Sequence, residues 1–212
     1  MTDDIEIKDL AEVVVRFSGD SGDGMQLAGN IFSTVSATVG NGISTFPDYP
    51  ADIRAPHGSL TGVSGYQVHI GSGQVYTPGD QCDVLVAMNA AALKTQYKYA
   101  KPQATIIIDT DSFSPTDLKK ADFQTDDYLE ELGIDPDRVV ACPISTMVKD
   151  VATEAGCDDV KVAMKCRNMF VLGLVCWLFN RELSLVSSFL HEKFAKKPQV
   201  AELNIKVVNA GY

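Results

Sequence analysis

Residues 11–40 limit this chain more than any other stretch. AEVVVRF (11–17) is a β-branched apolar run ended by glycine, the pattern of a strand covered on both faces. SGDSGDG (18–24) follows it directly. GMQLAGNIFSTVSATVG (24–40) then sets Met25, Leu27, Ala28, Ile31, Phe32, Val35 and Val39 at helical spacing, with Gly40 or Gly42 as the stop. A buried strand that turns through a short glycine loop into an amphipathic helix opens a parallel sheet with helical crossovers.

The rest of the chain continues that alternation. ISTF (43–46) reads as a short strand cut off by Pro47 and Pro50, and YQVHIGS (66–72) alternates with Tyr66, Val68 and Ile70 on one face. CDVLVAMN (82–89), ATIIIDT (104–110) and RVVACPIS (138–145) are further strands. Helices are expected over 90–100, 146–156, 159–180 and 183–197, with an acidic segment over 111–137. The fold class is α/β: a single Rossmann-like domain whose mostly parallel sheet is flanked by helices, with a C-terminal helical arm. Residues 1–197 make the domain. Residues 198–212, opening on Pro198, make a linker or arm.

Whether the glycine loop holds a phosphate turns on spacing and charge. A dinucleotide fingerprint needs G-x-G-x-x-G, because its glycines make the turn, let the backbone approach the pyrophosphate and pack the helix. Gly19, Gly22 and Gly24 give G-x-x-G-x-G instead, and no G-x-x-x-x-G-K-[ST] run occurs. Asp20 and Asp23 put two negative charges beside any bound phosphate, a repulsion on the order of 1 kcal/mol per pair at intermediate dielectric. The following helix N-terminus attracts anions, but acidic residues at the turn answer that need themselves. Both arguments favour a tight turn capped by carboxylates. The alternative is an independent NAD- or FAD-binding oxidoreductase domain, with Gly19, Gly22 and Gly24 as its cofactor-binding residues.

PDYPADIRAPHGSLTGVSG (47–65) has no periodicity and is long for a connection in a compact domain. Such loops carry function or interfaces, and prolines keep the entropy of ordering them small. Asp48, Asp52, Arg54, His57 and Ser59 are its candidate recognition residues; in a plain crossover Arg54 pairs with Asp48 or Asp52. His69 points off the core face of its strand and His191 lies on a polar helix face. Only His57 has a site-like setting, and neither a G-x-S-x-G elbow nor a paired metal-ligand motif accompanies it.

Five scattered cysteines without a C-x-x-C pair fit a reducing cytosol. A net charge of −10 argues against non-specific binding to nucleic acid or anionic membrane. MFVLGLVCWLF (169–179) is shorter than the roughly 20 residues that span a bilayer, and MTDDIEIKDL lacks the apolar core of a signal peptide. The expected location is cytoplasmic.

SGDSGDGMQLAG, TFPDYPADIRAPHGSLTGVSGYQVHI and CRNMFVLGLVCWLFNR together resemble one family closely. It is the gamma domain of 2-oxoacid:ferredoxin oxidoreductases, in the form found at the N-terminus of the alpha subunit of two-subunit 2-oxoglutarate enzymes. The resemblance covers most of the chain. Gly19, Gly22 and Gly24 match the first, third and last glycines of the family's G-x-G-G-Q-G, while Ser21 and Asp23 depart from it.

The resemblance implies a share in an enzyme that decarboxylates a 2-oxoacid on thiamine diphosphate with Mg. Electrons then pass through [4Fe-4S] clusters to ferredoxin, and an acyl-CoA is released. The gamma domain is implied to hold none of these cofactors alone and to be inactive by itself. Its implied partners are the alpha domain and the beta subunit, with ferredoxin reached through the complex. The 47–65 loop becomes an interface or CoA-side element. NIKVVNAGY, at the end, matches the segment that leads into the alpha domain in fused relatives.

Overall fold

The computed structural model describes residues 8–52 and 54–212, so most of the stretch assessed for a leader lies outside the described residues. Six strands form one sheet: β1 (Glu12–Asp20), β2 (Gly42–Asp48), β3 (Val63–Gly71), β4 (Cys82–Ala87), β5 (Ala100–Asp109) and β6 (Val139–Cys142). Their spatial order is β2-β3-β1-β4-β5-β6. β1, β4, β5 and β6 pair in parallel, while β3 runs antiparallel between β1 and β2. Only β3 opposes the common direction.

Side chains of β1 alternate between two cores, which is why its apolar run is unbroken. Val13, Val15 and Phe17 face a core shared with α1 (Met25–Thr38), α5 (Ile144–Glu154), α7 (Arg167–Leu178), α8 (Leu183–Lys193) and α9 (Pro198–Gly211). Val14 faces the other, closed by α2 (Ala90–Gln96), α3 (Pro115–Lys120) and α4 (Tyr128–Leu132). Arg16, on the Val14 side, is only 4% exposed. It donates to Gln96 Oε1 at 2.7 Å and Gln67 Oε1 at 2.9 Å, pairs with Asp48, and lies 4.5 Å from the centre of the Tyr99 ring. A buried cation needs such a full set of partners. This one fastens the end of β2 to the middle of the sheet.

Of the boundaries that differ from those expected, four bear on the site or the core. β2 continues through Pro47 to Asp48 because it is an edge strand, where a missing N–H leaves no ladder bond unmade. The irregular connection shrinks to residues 49–62 and ends in a short 3-10 turn at Leu60–Gly62. The acidic segment contains α3 and α4, whose starts Ser114 and Asp127 cap. The helix expected over 159–180 is two, α6 (Val160–Met164) and α7, and the break puts Arg167 in the first turn of α7.

The stretch after Pro198 is not a loose linker. Proline is favoured at the first position of a helix, and α9 buries Leu203, Val207 and Val208 in the first core. Gly173 and Gly211 let α7 and α9 touch backbone to backbone. A Cβ at Gly173 would stand 2.0 Å from the Val208 carbonyl oxygen, and one at Gly211 2.0 Å from that of Phe170. Gly173→Ala is therefore expected to cost about 3 kcal/mol by overpacking. Urea unfolding checks this; an unchanged midpoint would contradict the packing.

Candidate functional site

β1 and β4 are parallel neighbours, yet the helix after β1 packs on one face of the sheet and the helix after β4 on the other. The diverging connections open a crevice at the carboxyl ends of the strands, where open α/β sheets place their ligands. A cleft of about 290 Å³ lies there, lined by His57, Asn89, Ser145, Lys149, Met164 and Arg167 among others.

The glycine turn forms one wall. Gly24 has φ +73, a left-handed conformation that glycine adopts freely, and Asn168 Nδ2 donates to its carbonyl at 3.1 Å. A Cβ on Gly19 would stand 2.8 Å from Asp23 Oδ2. That carboxylate folds back over the turn and accepts the Asp20 N–H at 2.9 Å. The expected cap is thus corrected: Asp23 satisfies the end of β1, and α1 starts without a side-chain cap. Nothing crowds Gly22.

Arg167 ties the turn to the strand ends. It donates through Nη2 to Asp23 Oδ1 at 2.6 Å and through Nη1 to Ser145 Oγ at 3.3 Å, and Nη1 lies 3.6 Å from Asp109 Oδ2. Ser145 Oγ donates to Asp109 Oδ2 at 2.7 Å. Burial pushes the Asp23 carboxyl above its ordinary value, and the Arg167 guanidinium pulls it back down. Four buried polar atoms at this edge lack partners: Asp20 Oδ1, Asn89 Nδ2, Arg167 Nε and Asn168 Oδ1.

The structure separates the five residues expected to act together in the long loop. Asp48 is taken by Arg16. Asp52 accepts the Arg54 backbone N–H at 2.9 Å, and Ser59 donates to the Pro56 carbonyl at 2.7 Å, both local turns. Arg54 is exposed and forms neither ion pair considered for it. Only His57 reaches the cleft, with Nδ1 2.9 Å from Asp20 Oδ2, which also accepts the Gly58 N–H at 2.8 Å. His69 lies between Thr77 and Glu12, and His191 is exposed.

Sequence reasoning missed Arg167, Ser145, Asn89 and Asn168. Arg167 carried one usable signal, a lone cation at the head of an apolar helix. The donors present fit neither a cluster nor a pyrophosphate. Cys82, Cys166 and Cys176 are buried, and burial pushes their thiols to about 12, 11 and 12; all five cysteines are free. In the turn, Asp23 accepts the Asp20 N–H and so sets a carboxylate beside the backbone, where it would repel a phosphate. Among the described residues no helix is long and apolar enough to cross a membrane.

Comparison with known proteins adds the decisive observation. Residues 14–212 match the family described as pyruvate ferredoxin/flavodoxin oxidoreductase. The chain belongs to that family. It is 43% identical over 203 residues to 2-oxoglutarate oxidoreductase subunit KorA of Mycobacterium tuberculosis, covering 96% of this chain and 31% of KorA. A 2-oxoglutarate:ferredoxin oxidoreductase from Magnetococcus marinus, solved with 2-oxoglutarate, coenzyme A and succinyl-CoA bound, aligns with TM-score 0.70 at 25% identity, over 96% of this chain and 31% of that one. The chain thus spans about a third of these two relatives. The gamma subunit of a keto/oxoacid ferredoxin oxidoreductase from Geobacter sulfurreducens has the same fold over nearly its whole length, with TM-score 0.62 at 20% identity, 94% of this chain and 95% of that one.

Within this family domain, Arg167→Ala should cost about 3 kcal/mol near neutrality by leaving buried carboxylates unpaired. Because the folded Asp23 carboxyl sits above its unfolded value, its favourable contribution is present below the unfolded value and lost as pH rises through the folded one. The deficit of the variant should therefore shrink on acidification, as Asp23 takes up a proton. Urea unfolding at neutral and mildly acidic pH measures it; an equal deficit at both would contradict the ion-pair account.

Proposed function

We propose that this chain is the gamma domain of a 2-oxoglutarate:ferredoxin oxidoreductase. The assembled enzyme converts 2-oxoglutarate, CoA and oxidised ferredoxin to succinyl-CoA, CO2 and reduced ferredoxin. The observation that carries this reading is the 43% identity to KorA over 203 residues. Thiamine diphosphate with its Mg, the [4Fe-4S] clusters and CoA belong to the assembly. Its partners are the thiamine-binding alpha domain and the beta subunit, with ferredoxin reached through the complex. Five free thiols suit a cytoplasmic setting.

In that assembly the chain itself is a scaffold. Its glycine turn is held by Asp23 and Arg167, while the loop 49–62 offers exposed Arg54 and, at the rim of the cleft, His57. Two cationic or ionisable tips on a proline-stiffened loop suit docking to a partner or closing over the phosphates of CoA. NAD or FAD binding at Gly19, Gly22 and Gly24 is disfavoured by the two carboxylates of the same turn.

Anaerobic co-expression with the thiamine-binding partners tests the reading. The purified complex should contain thiamine diphosphate, iron and acid-labile sulfide and reduce viologen in the presence of 2-oxoglutarate and CoA. Arg54→Ala should weaken assembly or raise the KM for CoA at least severalfold, with the melting temperature of the chain unchanged. A complex that forms with equal yield and activity in the variant would remove the role given to the loop. Failure of the chain to capture any thiamine-containing partner would remove the proposed function.

A further inference from the structure

Three side chains distant in sequence meet where the loop 49–62 lies over the glycine turn. Asp20 closes β1, Asp23 stands in the turn and His57 comes from the loop. One potential ligand atom from each lies within 4.8 Å of the others. His57 Nδ1 and Asp20 Oδ2 are 2.9 Å apart. Two donors that each stand about 2.1 Å from one metal at right angles are separated by about 3 Å. Two carboxylates and an imidazole form a mixed N/O set that suits a divalent first-row transition ion better than calcium or magnesium.

The state of Asp20 points to a cation independently of that spacing. The side chains of Asp20, Asp23 and Asp109 are 7%, 5% and 0% exposed, and the guanidinium of Arg167 reaches only the latter two. Asp20 has no Lys or Arg partner among the described residues. Its Oδ2 faces His57 and the Gly58 N–H, while its Oδ1 is buried with no donor at all. A carboxylate oxygen sealed from water without a donor carries a large desolvation cost unless a cation neutralises it.

We propose that Asp20, Asp23 and His57 bind one divalent first-row transition-metal ion in octahedral geometry, of the Mn2+ kind. Asp20 chelates through both oxygens, Oδ2 at 2.9 Å from His57 Nδ1 and Oδ1 as the atom that otherwise has no partner. Asp23 contributes through a lone pair not used by the Asp20 N–H or Arg167. His57, with its side chain 73% exposed, is the solvent-side ligand, and water completes the coordination sphere. Bound there, the ion clamps the loop 49–62 onto the end of β1. The proposal stands whether or not the proposed function holds.

The test uses the full chain, free of any affinity tag and stripped with chelator. Mn2+ is the deciding probe because thiols bind it poorly, so the five cysteines do not imitate the site. Titration followed by the electron paramagnetic resonance of free Mn2+ should show saturable uptake of one ion per chain. His57→Ala removes an exposed side chain and should leave the circular dichroism unchanged while weakening uptake about tenfold or more. Asp20→Asn should abolish uptake. Absence of saturable Mn2+ uptake by the unaltered chain, or uptake unchanged in His57→Ala, would overturn the proposal.

Discussion

From the first turn of α7, Arg167 reaches Asp23 in the glycine turn at 2.6 Å and stands 3.6 Å from Asp109 at the end of β5. A cation at a helix N-terminus opposes the helix dipole, so this placement is tolerable only because carboxylates face it. The arrangement depends on the break between α6 and α7, which frees the start of α7 to sit over the strand ends. One guanidinium thereby joins the β1–α1 turn, the β5 end and, through Ser145, the start of α5.

The same contact decides what the glycine turn is. In dinucleotide sites the turn leaves its backbone open to phosphate. Here Asp23 lies over Gly19, accepts the Asp20 N–H and is held by Arg167. Gly19 is needed because a carboxylate covers it, and Gly24 because its φ is positive. Both steric demands are met by the protein's own atoms. The outcome is a closed turn beneath a proline-rich loop.

Much of the sheet was legible because a strand covered on both faces must be an unbroken apolar run. β1, β4 and β5 stand close to where their β-branched residues put them. Pro47 misled because only the position of β2 at the sheet edge makes a proline harmless there. The helical arm after Pro198 was legible, but its packing was not: the proline starts a helix that stays against the core and does not lead away from it as a linker. Arg16 lay hidden inside VVVRF, since local pattern does not reveal that Asp48, Gln67 and Gln96 converge on it. The cleft was least legible. His57 was singled out by its loop, but its partner Asp20 is 37 positions earlier and Arg167 lies far beyond both, so only the topology brings them together.

Asp23 and Arg167 should close the glycine turn to nucleotides. Titration of the chain with NADH, followed by nicotinamide fluorescence, tests it most directly, with Gly22→Val as the companion because nothing crowds that position. Neither protein should show saturable binding. Saturable binding by the unaltered chain, lost in Gly22→Val, would contradict that closure.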